Sequence, residues 1–249
     1  MTAALLARTR AFVRHGGVTV DILTFDEQPD YPARELRLRE RGELVDGMRL
    51  LNLFDWLRDH ALPGGSLRLA RHPFTPLPTD QPGIGADGSA RITESRRGDA
   101  VLSRTRWSDD GSAPLQTDHY RLDGTLLLSD RRDPERGRRS LVLCDATGAP
   151  VRSWGRVWHL YAAWLDRLTA RRTSYLIVDS KTVAPVVAEY RRRHITSVHL
   201  VHASHLVGSE RPIGRLRDSR RRVFENLEAF DAVAVLSERQ RSDIEALLG

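Results

Sequence analysis

TSYLIVDSKTVAPVVAEYRRRHITSVHLVHASH covers residues 173–205, and its reading decides the fold. TSYLIVD (173–179) is a short apolar run, and KTVAPVVAEYRRR (181–193) has the spacing of an amphipathic helix. ITSVHLV (195–201) is the next run, and it empties into His202-Ala203-Ser204-His205. A basic stretch of helical character follows over Leu216–Ala229, then DAVAVLS (231–237) and SERQRSDIEALL (237–248). Strands joined by helical crossovers predict a parallel sheet, so the expected fold class is α/β. Ligands collect at the carboxyl ends of strands in such sheets. His202, His205, Asp179 and Ser180 lie at such ends.

Working outward, residues 3–14 read as a helix stopped at Gly16-Gly17, and VTVDILTF (18–25) as a strand. The segments near 18–25, 173–179, 195–201 and 231–236 are expected to share one parallel sheet. ARELRLRERG (33–42) has helical composition, and MRLLNLFDWLRD (48–59) fits helix or strand. Residues 63–92 hold five prolines and five glycines, which limits regular structure. From about 90 to 154 the pattern has period two. Asp123-Gly124 suits a type I′ hairpin turn, and Thr147-Gly148 marks a second hairpin. RRDPERGRR (131–139) reads as a solvated loop between them. VWHLYAAWLDRLTA (157–170) returns to helical spacing, with Trp158, Tyr161, Ala162 and Leu165 on one face and Trp164 and Leu168 close by. Ser237 and Gln240 form a capping box for the last helix. The chain thus reads as an α/β domain, 1–64 and 155–249, carrying a β-rich insertion at 65–154.

Composition narrows the function. With 249 residues and 40% apolar content the chain buries a real core. No apolar run is long enough to span a membrane, and no signal peptide is evident, so a cytoplasmic location is expected. A single cysteine, Cys144, fits a reducing compartment and reads as a packed strand residue. The net charge is +6, yet Lys181 is the only lysine among 39 basic residues. That skew points to coding bias, and interleaved acidic residues argue against specific nucleic-acid binding.

His199, His202 and His205 are spaced by three, which invites a zinc reading. In a strand, however, His199 and His202 point to opposite faces, and no other histidine or cysteine cluster completes a ligand set. No metal is therefore expected. Either the three are half-buried strand and loop residues, or one imidazole meets a substrate at the mouth of the sheet. No nucleophile elbow, P-loop or G-x-G-x-x-G is present.

LTFDEQPDY (23–31), DSKTVAP (179–185), VHLVHASHL (198–206) and FDAVAVLSERQRSDIEALLG (230–249) resemble the amino-terminal half of GT-B glycosyltransferases of the family 4 type. The sequence is similar to the poly(ribitol-phosphate) and poly(glycerol-phosphate) glycosyltransferases of wall teichoic acid, and to related protein O-glycosyltransferases. The resemblance implies a Rossmann-like acceptor-side domain with a β-rich insertion. It also implies a retaining, metal-independent transfer of a hexose from a nucleotide sugar such as a UDP-hexose to an acceptor polymer or protein. His202 takes the position of a histidine beside the donor sugar, and His205 and Ser204 line the same wall, with Asp179 and Ser180 near the substrate. The family's first strand precedes the position of Met1, and its carboxyl-terminal donor domain follows this chain. The chain is therefore expected to be a fragment that is inactive alone and self-associates through an open sheet edge. Two other readings stand beside this one: a non-catalytic acceptor-recognition partner of a glycosyltransferase, and an arginine-rich nucleic-acid binder. Steep salt dependence of DNA or RNA binding distinguishes the last.

Overall fold

A computed structural model describes residues 2–68, 92–133, 136–202, 204–208 and 214–248. The chain divides into two compact units, Met1–Arg167 and Leu168–Gly249. In the first, helix α1 (Ala3–Gly16) begins where Thr2 Oγ1 accepts the Leu5 N–H, and it ends at Gly17. Strand β1 (Val20–Thr24) and helix α2 (Tyr31–Glu40) follow. The ambiguous segment is both strand and helix: β2 (Met48–Asn52) runs directly into α3 (Leu53–Asp59). Asn52 makes the switch, its Oδ1 accepting the N–H groups of Phe54 and Asp55 as an N-cap. Its Nδ2 donates to Thr24 Oγ1 and the Asp26 carbonyl. β1 and β2 pair in parallel, with Leu6, Ile22, Tyr31, Met48 and Leu50 packed together in one core.

The period-two region is a six-stranded antiparallel sheet. Its strands are β3 (Ile92–Arg97), β4 (Ala100–Trp107), β5 (Pro114–Tyr120), β6 (Leu126–Asp133), β7 (Arg138–Cys144) and β8 (Pro150–Trp154), paired in chain order. The Asp123-Gly124 turn is not type I′. The Arg121 N–H donates to the Thr125 carbonyl and the Gly124 N–H to the Arg121 carbonyl, with only Gly124 at positive φ, 86°. That is a type I turn closed by a left-handed glycine, and the Asp145–Ala149 turn repeats it. Asp123 Oδ1 accepts the Thr125 N–H, which holds Asp123 at negative φ. The RRDPERGRR run is strand at both ends. Arg139 grips Asp130 through Nε at 2.7 Å, because cross-strand pairing puts the two charges side by side. Residues 134–135 and most of 63–92 lie outside the described residues. Cys144 is buried, and burial pushes its thiol up to about 12. Register also sets Arg104, Asp118 and Ser129 in a row, and Ser129 Oγ donates to the fully buried Asp118.

A buried ion network ties this sheet to α3. Arg58 pairs with Asp55, lies 3.7 Å from Glu27, and donates from Nε to the Tyr120 carbonyl. Arg97 on β3 grips both oxygens of Asp55 and reaches the Pro29 carbonyl. His119 on β5 stands 3.2 Å from Glu27 and stacks on Phe54. Burial raises the Glu27 pKa, but the pull of the adjacent His119, Ser103 and Arg58 side chains outweighs it, so the carboxyl sits below its ordinary range. Helix α4 (Val157–Thr169) buries Leu160, Trp164 and Leu165, so of the expected face Leu165 is buried while Trp158, Tyr161 and Ala162 are half-buried. Phe25 draws the stripe round, with its ring 5.4 Å from Trp164, edge to face, and 4.5 Å from Tyr161.

In the second unit, β9 (Ser174–Val178), β10 (Ile195–Val201) and β11 (Ala232–Val235) form a parallel sheet in the order β11-β10-β9. One face packs against α5 (Ala184–Glu189), α6 (Asp218–Phe224) and α7 (Glu238–Leu248) through Val187, Val201, Val223, Phe224 and Ile244. Both inner helices are shorter than the sequence suggests. Ser180 Oγ accepts the N–H groups of Thr182 and Val183, which keeps 181–183 in a turn. Asn226 ends the α6 region, leaving a short 3-10 turn, Leu227–Ala229. Gln240 and Ser237 cap α7 reciprocally, with the Gln240 side chain reaching the Leu236 N–H. The four parallel segments therefore fall in two sheets rather than one. Among the described residues, β1 pairs only with β2, and β9 only with β10, so no hydrogen-bonded strand joins the two sets.

The ion network gives a stability test. Arg58→Ala removes the buried cation that Glu27 and Asp55 share and is expected to cost about 3 kcal/mol in urea unfolding. Arg37→Ala removes an exposed pair with Asp30 and is expected to cost under about 0.5 kcal/mol. Equal losses in the two variants would show that the network holds nothing.

Candidate functional site at the end of β10

β10 alternates in burial, with Ser197, His199 and Val201 turned to the helix-covered face. Period-two geometry places His199 there, and the ring is completely enclosed, 5.3 Å from the Phe230 ring. Its pKa lies below the ordinary histidine value. Burial is the main cause and the positive charge of Arg220 the second, partly opposed by the Val178 backbone carbonyl and Asp179. His202 is the first residue beyond the strand. It is half-buried, and its Nδ1 is shielded from solvent with no hydrogen-bond partner among the described residues. His202 also acts on the charge of His199, so His199, His202, Asp179 and Arg220 converge at one end of the sheet.

The other residues singled out in the sequence occupy different environments. Asp179 follows β9 and is half-buried. The Ser180 hydroxyl is engaged in the turn that opens α5. Ser204 is exposed and donates to the Leu206 carbonyl at 3.1 Å. His205 is 2% exposed and stacks on Phe224 at 5.4 Å, so its ring is packed into the core.

Arg220, in the first turn of α6, was hidden in a basic stretch. The signal that finds it is positional. Arg220, Val223, Phe224 and Leu227 follow the i, i+3, i+4, i+7 spacing of a core-facing stripe, so an arginine fills an apolar slot. The structure bears this out: Arg220 is 6% exposed and sits with the buried residues of α6.

In the first unit, a cleft of about 250 Å3 opens beside the carboxyl ends of β1 and β2, lined by Tyr31, Asn52, Asp55, Arg58 and Arg97 among others. Asp55, Arg58 and Arg97 are committed to one another there.

The pH dependence of folding follows from His199. Its folded pKa is lowered, so the unfolded chain takes up the proton first as pH falls below the ordinary value of about 6.5. The stability it contributes is full above that pH and is lost on acidification. His199→Gln is expected to lower stability at pH 7.5 and to flatten the slope of Tm against pH as pH falls below about 6.5. An unchanged slope would remove His199 from the acid response.

No protein-family profile and no curated protein matches the sequence. The fold has matches among solved structures. TarM superposes with a TM-score of 0.70 at 17% identity, over 99% of this chain and 55% of that one. The pneumococcal O-GlcNAc transferase GtfA, in complex with UDP and GlcNAc, gives a TM-score of 0.54 at 14% identity, over 99% of this chain and 54% of that one. The GtfA/B complex gives 0.53 at 17% identity, over 99% and 54%. The chain spans about half the length of these proteins. Its α/β architecture, with parallel strands and a six-stranded antiparallel sheet, is the one it shares with these GT-B structures.

Proposed function

We propose that the chain is the acceptor-side domain of a retaining glycosyltransferase that moves a hexose from a nucleotide sugar to an acceptor hydroxyl. On this reading 1–64 and 155–249 form the Rossmann-like domain and 65–154 its insertion. The observation that carries it is His202, an imidazole at the carboxyl end of a parallel strand whose Nδ1 is shielded from solvent and has no hydrogen-bond partner among the described residues. The shared fold supports it, since matched structures include an O-GlcNAc transferase holding UDP and GlcNAc. In the reaction the acceptor oxygen bonds to the anomeric carbon. The bond from that carbon to the diphosphate oxygen breaks, and the acceptor proton passes to the departing diphosphate. His202 donates a hydrogen bond to the donor sugar as charge develops at its ring. No step calls for a metal ion, and the diphosphate charge is met largely by a second domain, the half of the matched proteins that lies beyond this chain.

The chain alone is therefore expected to release no UDP from a UDP-hexose in the presence of acceptor. Measurable transfer would refute the two-domain reading. In an enzyme that joins this domain to its donor-side partner, His202→Ala is expected to lower kcat/KM roughly 10²-fold. Full activity in that variant, with loss in His205→Ala, would move the role to His205. Full activity in both would place the chemistry away from β10.

A further inference from the structure

The amino ends of β9 and β10 hold a second concentration of charge, separated from His202 by the seven-residue length of β10. The chain between α5 and β10 reads Tyr190-Arg191-Arg192-Arg193-His194. A cleft of about 190 Å3 opens there, lined by Tyr190, Arg191, Arg192, Arg193, Ser197 and Asp231 among others. Tyr190 is 4% exposed and gives the cleft a fixed floor, and the Arg192 guanidinium lies over its ring, 4.6 Å from the centroid. Stacking uses the face of a guanidinium and not its edge, where the N–H donors lie. Arg191 reaches the Glu228 carbonyl through Nη2 at 3.5 Å. Asp231 Oδ2 accepts the Ser197 N–H at 2.7 Å and the Ser197 hydroxyl at 2.9 Å. Those two bonds, with the charge of Arg191 a smaller cause, hold the Asp231 carboxyl below its ordinary range. Among the described residues the lining therefore sets three guanidinium groups against one carboxylate.

The neighbouring loop adds to this charge. The Ser174 N–H donates to the His194 carbonyl at 2.9 Å, which ties residues 170–173 to the arginine turn. Within that loop Ala170 and Arg171 both hold positive φ, 47° and 61°, and Arg171 is exposed. Glycine adopts such angles without strain, whereas a side chain resists them. A strained loop that keeps an arginine where glycine would fold more easily points to a role for the charge.

We infer that the cleft at the amino end of β10 binds a phosphate monoester, with Arg191, Arg192 and Arg193 as its donors. Such a group carries about two negative charges at pH 7, which matches the net charge of the lining. Each guanidinium presents a planar fork of donors that fits paired phosphate oxygens. The volume sets a size limit. Pockets that enclose a whole small ligand run from roughly 300 to 1,000 Å3, so this one seats the phosphate and leaves whatever carries it outside. The cleft lies at the amino ends of the strands, whereas the ligands of the glycosyltransferase reading gather at the carboxyl ends, so the site stands independently of that reading. Free phosphate and the head group of phosphatidic acid present the same chemistry to it.

The test is calorimetric titration of the purified chain with inorganic phosphate, in wild type and in Arg191→Gln, Arg193→Gln, Asp231→Asn and Arg239→Gln. The wild type is expected to bind saturably. Arg191→Gln and Arg193→Gln are each expected to weaken binding about 10-fold, the effect of losing one charge-assisted hydrogen bond. Asp231→Asn keeps an oxygen for Ser197 and removes the opposing charge, so it is expected to bind about 3-fold tighter. A tighter complex cannot come from a damaged fold, which keeps the test decisive if an arginine variant unfolds. Arg239→Gln, exposed on α7, is expected to bind as wild type does. Absence of saturable binding by wild type, undiminished binding by both cleft-arginine variants, no gain in Asp231→Asn, or an equal loss in Arg239→Gln would each overturn the proposal. Vesicles of phosphatidylcholine and phosphatidic acid at four to one distinguish the two sources. Sedimentation of the chain with them, reversed by inorganic phosphate and weakened in Arg193→Gln, assigns the phosphate to a lipid. Phosphate binding without sedimentation assigns it to a soluble molecule.

Discussion

The first unit depends on one charge network. Arg58 is almost fully buried on a helix of seven residues, and it meets Asp55, Glu27 and the Tyr120 carbonyl at once. A helix that short has little stability of its own. It holds because Asn52 caps it and because its charges reach two strands of the neighbouring sheet. Through Arg97 and His119, the same carboxylates fix where β3 and β5 sit against α3. A purely apolar contact would permit sliding; a set of paired, directional charges permits one arrangement. Buried ion pairs add little net stability but set registry, which is what docking a sheet of locally formed hairpins requires.

Much of the architecture was legible because it is local. β10 matches the ITSVHLV run residue for residue, and the hairpin at 119–128 was marked by its Asp-Gly pair. The turn departs from type I′ because the Asp123 side chain, by binding the Thr125 N–H, favours negative φ, leaving the left-handed position to Gly124 alone. The helices expected at 181–193 and 216–229 are shorter for a related reason: Ser180 and Asn226 divert backbone groups into turns that hydrophobic spacing does not reveal. The reading of 48–59 stayed ambiguous because strand and helix share the segment, and a single side chain, Asn52, divides them. The Glu27–His119 contact was invisible in the sequence, since nothing in period or composition links residues so far apart.

The site shows a different kind of legibility. His202 stood out by its place at a strand end, a rule about topology rather than residue type. His205 did not keep company with it, because burial against Phe224 follows from the turn after the strand, which no local pattern encodes. Arg220 is hard to read from sequence because charge runs are usually solvated faces, and this one is broken by its own helical phase. Arg221 and Arg222 are exposed as such runs should be, while Arg220 alone turns inward.

That contrast carries the last step. Most of the chain is consistent across levels: period, capping and burial agree, as expected of a sequence that specifies one structure. At the end of β10 they disagree. His199 fills a strand slot on the core face beside Val178 and Val201, and Arg220 fills a helix slot beside Val223. Both positions have apolar geometry and titratable or charged chemistry. Each makes the folded state less stable than an aliphatic residue there would. Two such mismatches on separate elements, close enough to perturb each other's charge, are not what packing alone selects. They sit at the strand end where topology marks His202 as a candidate site.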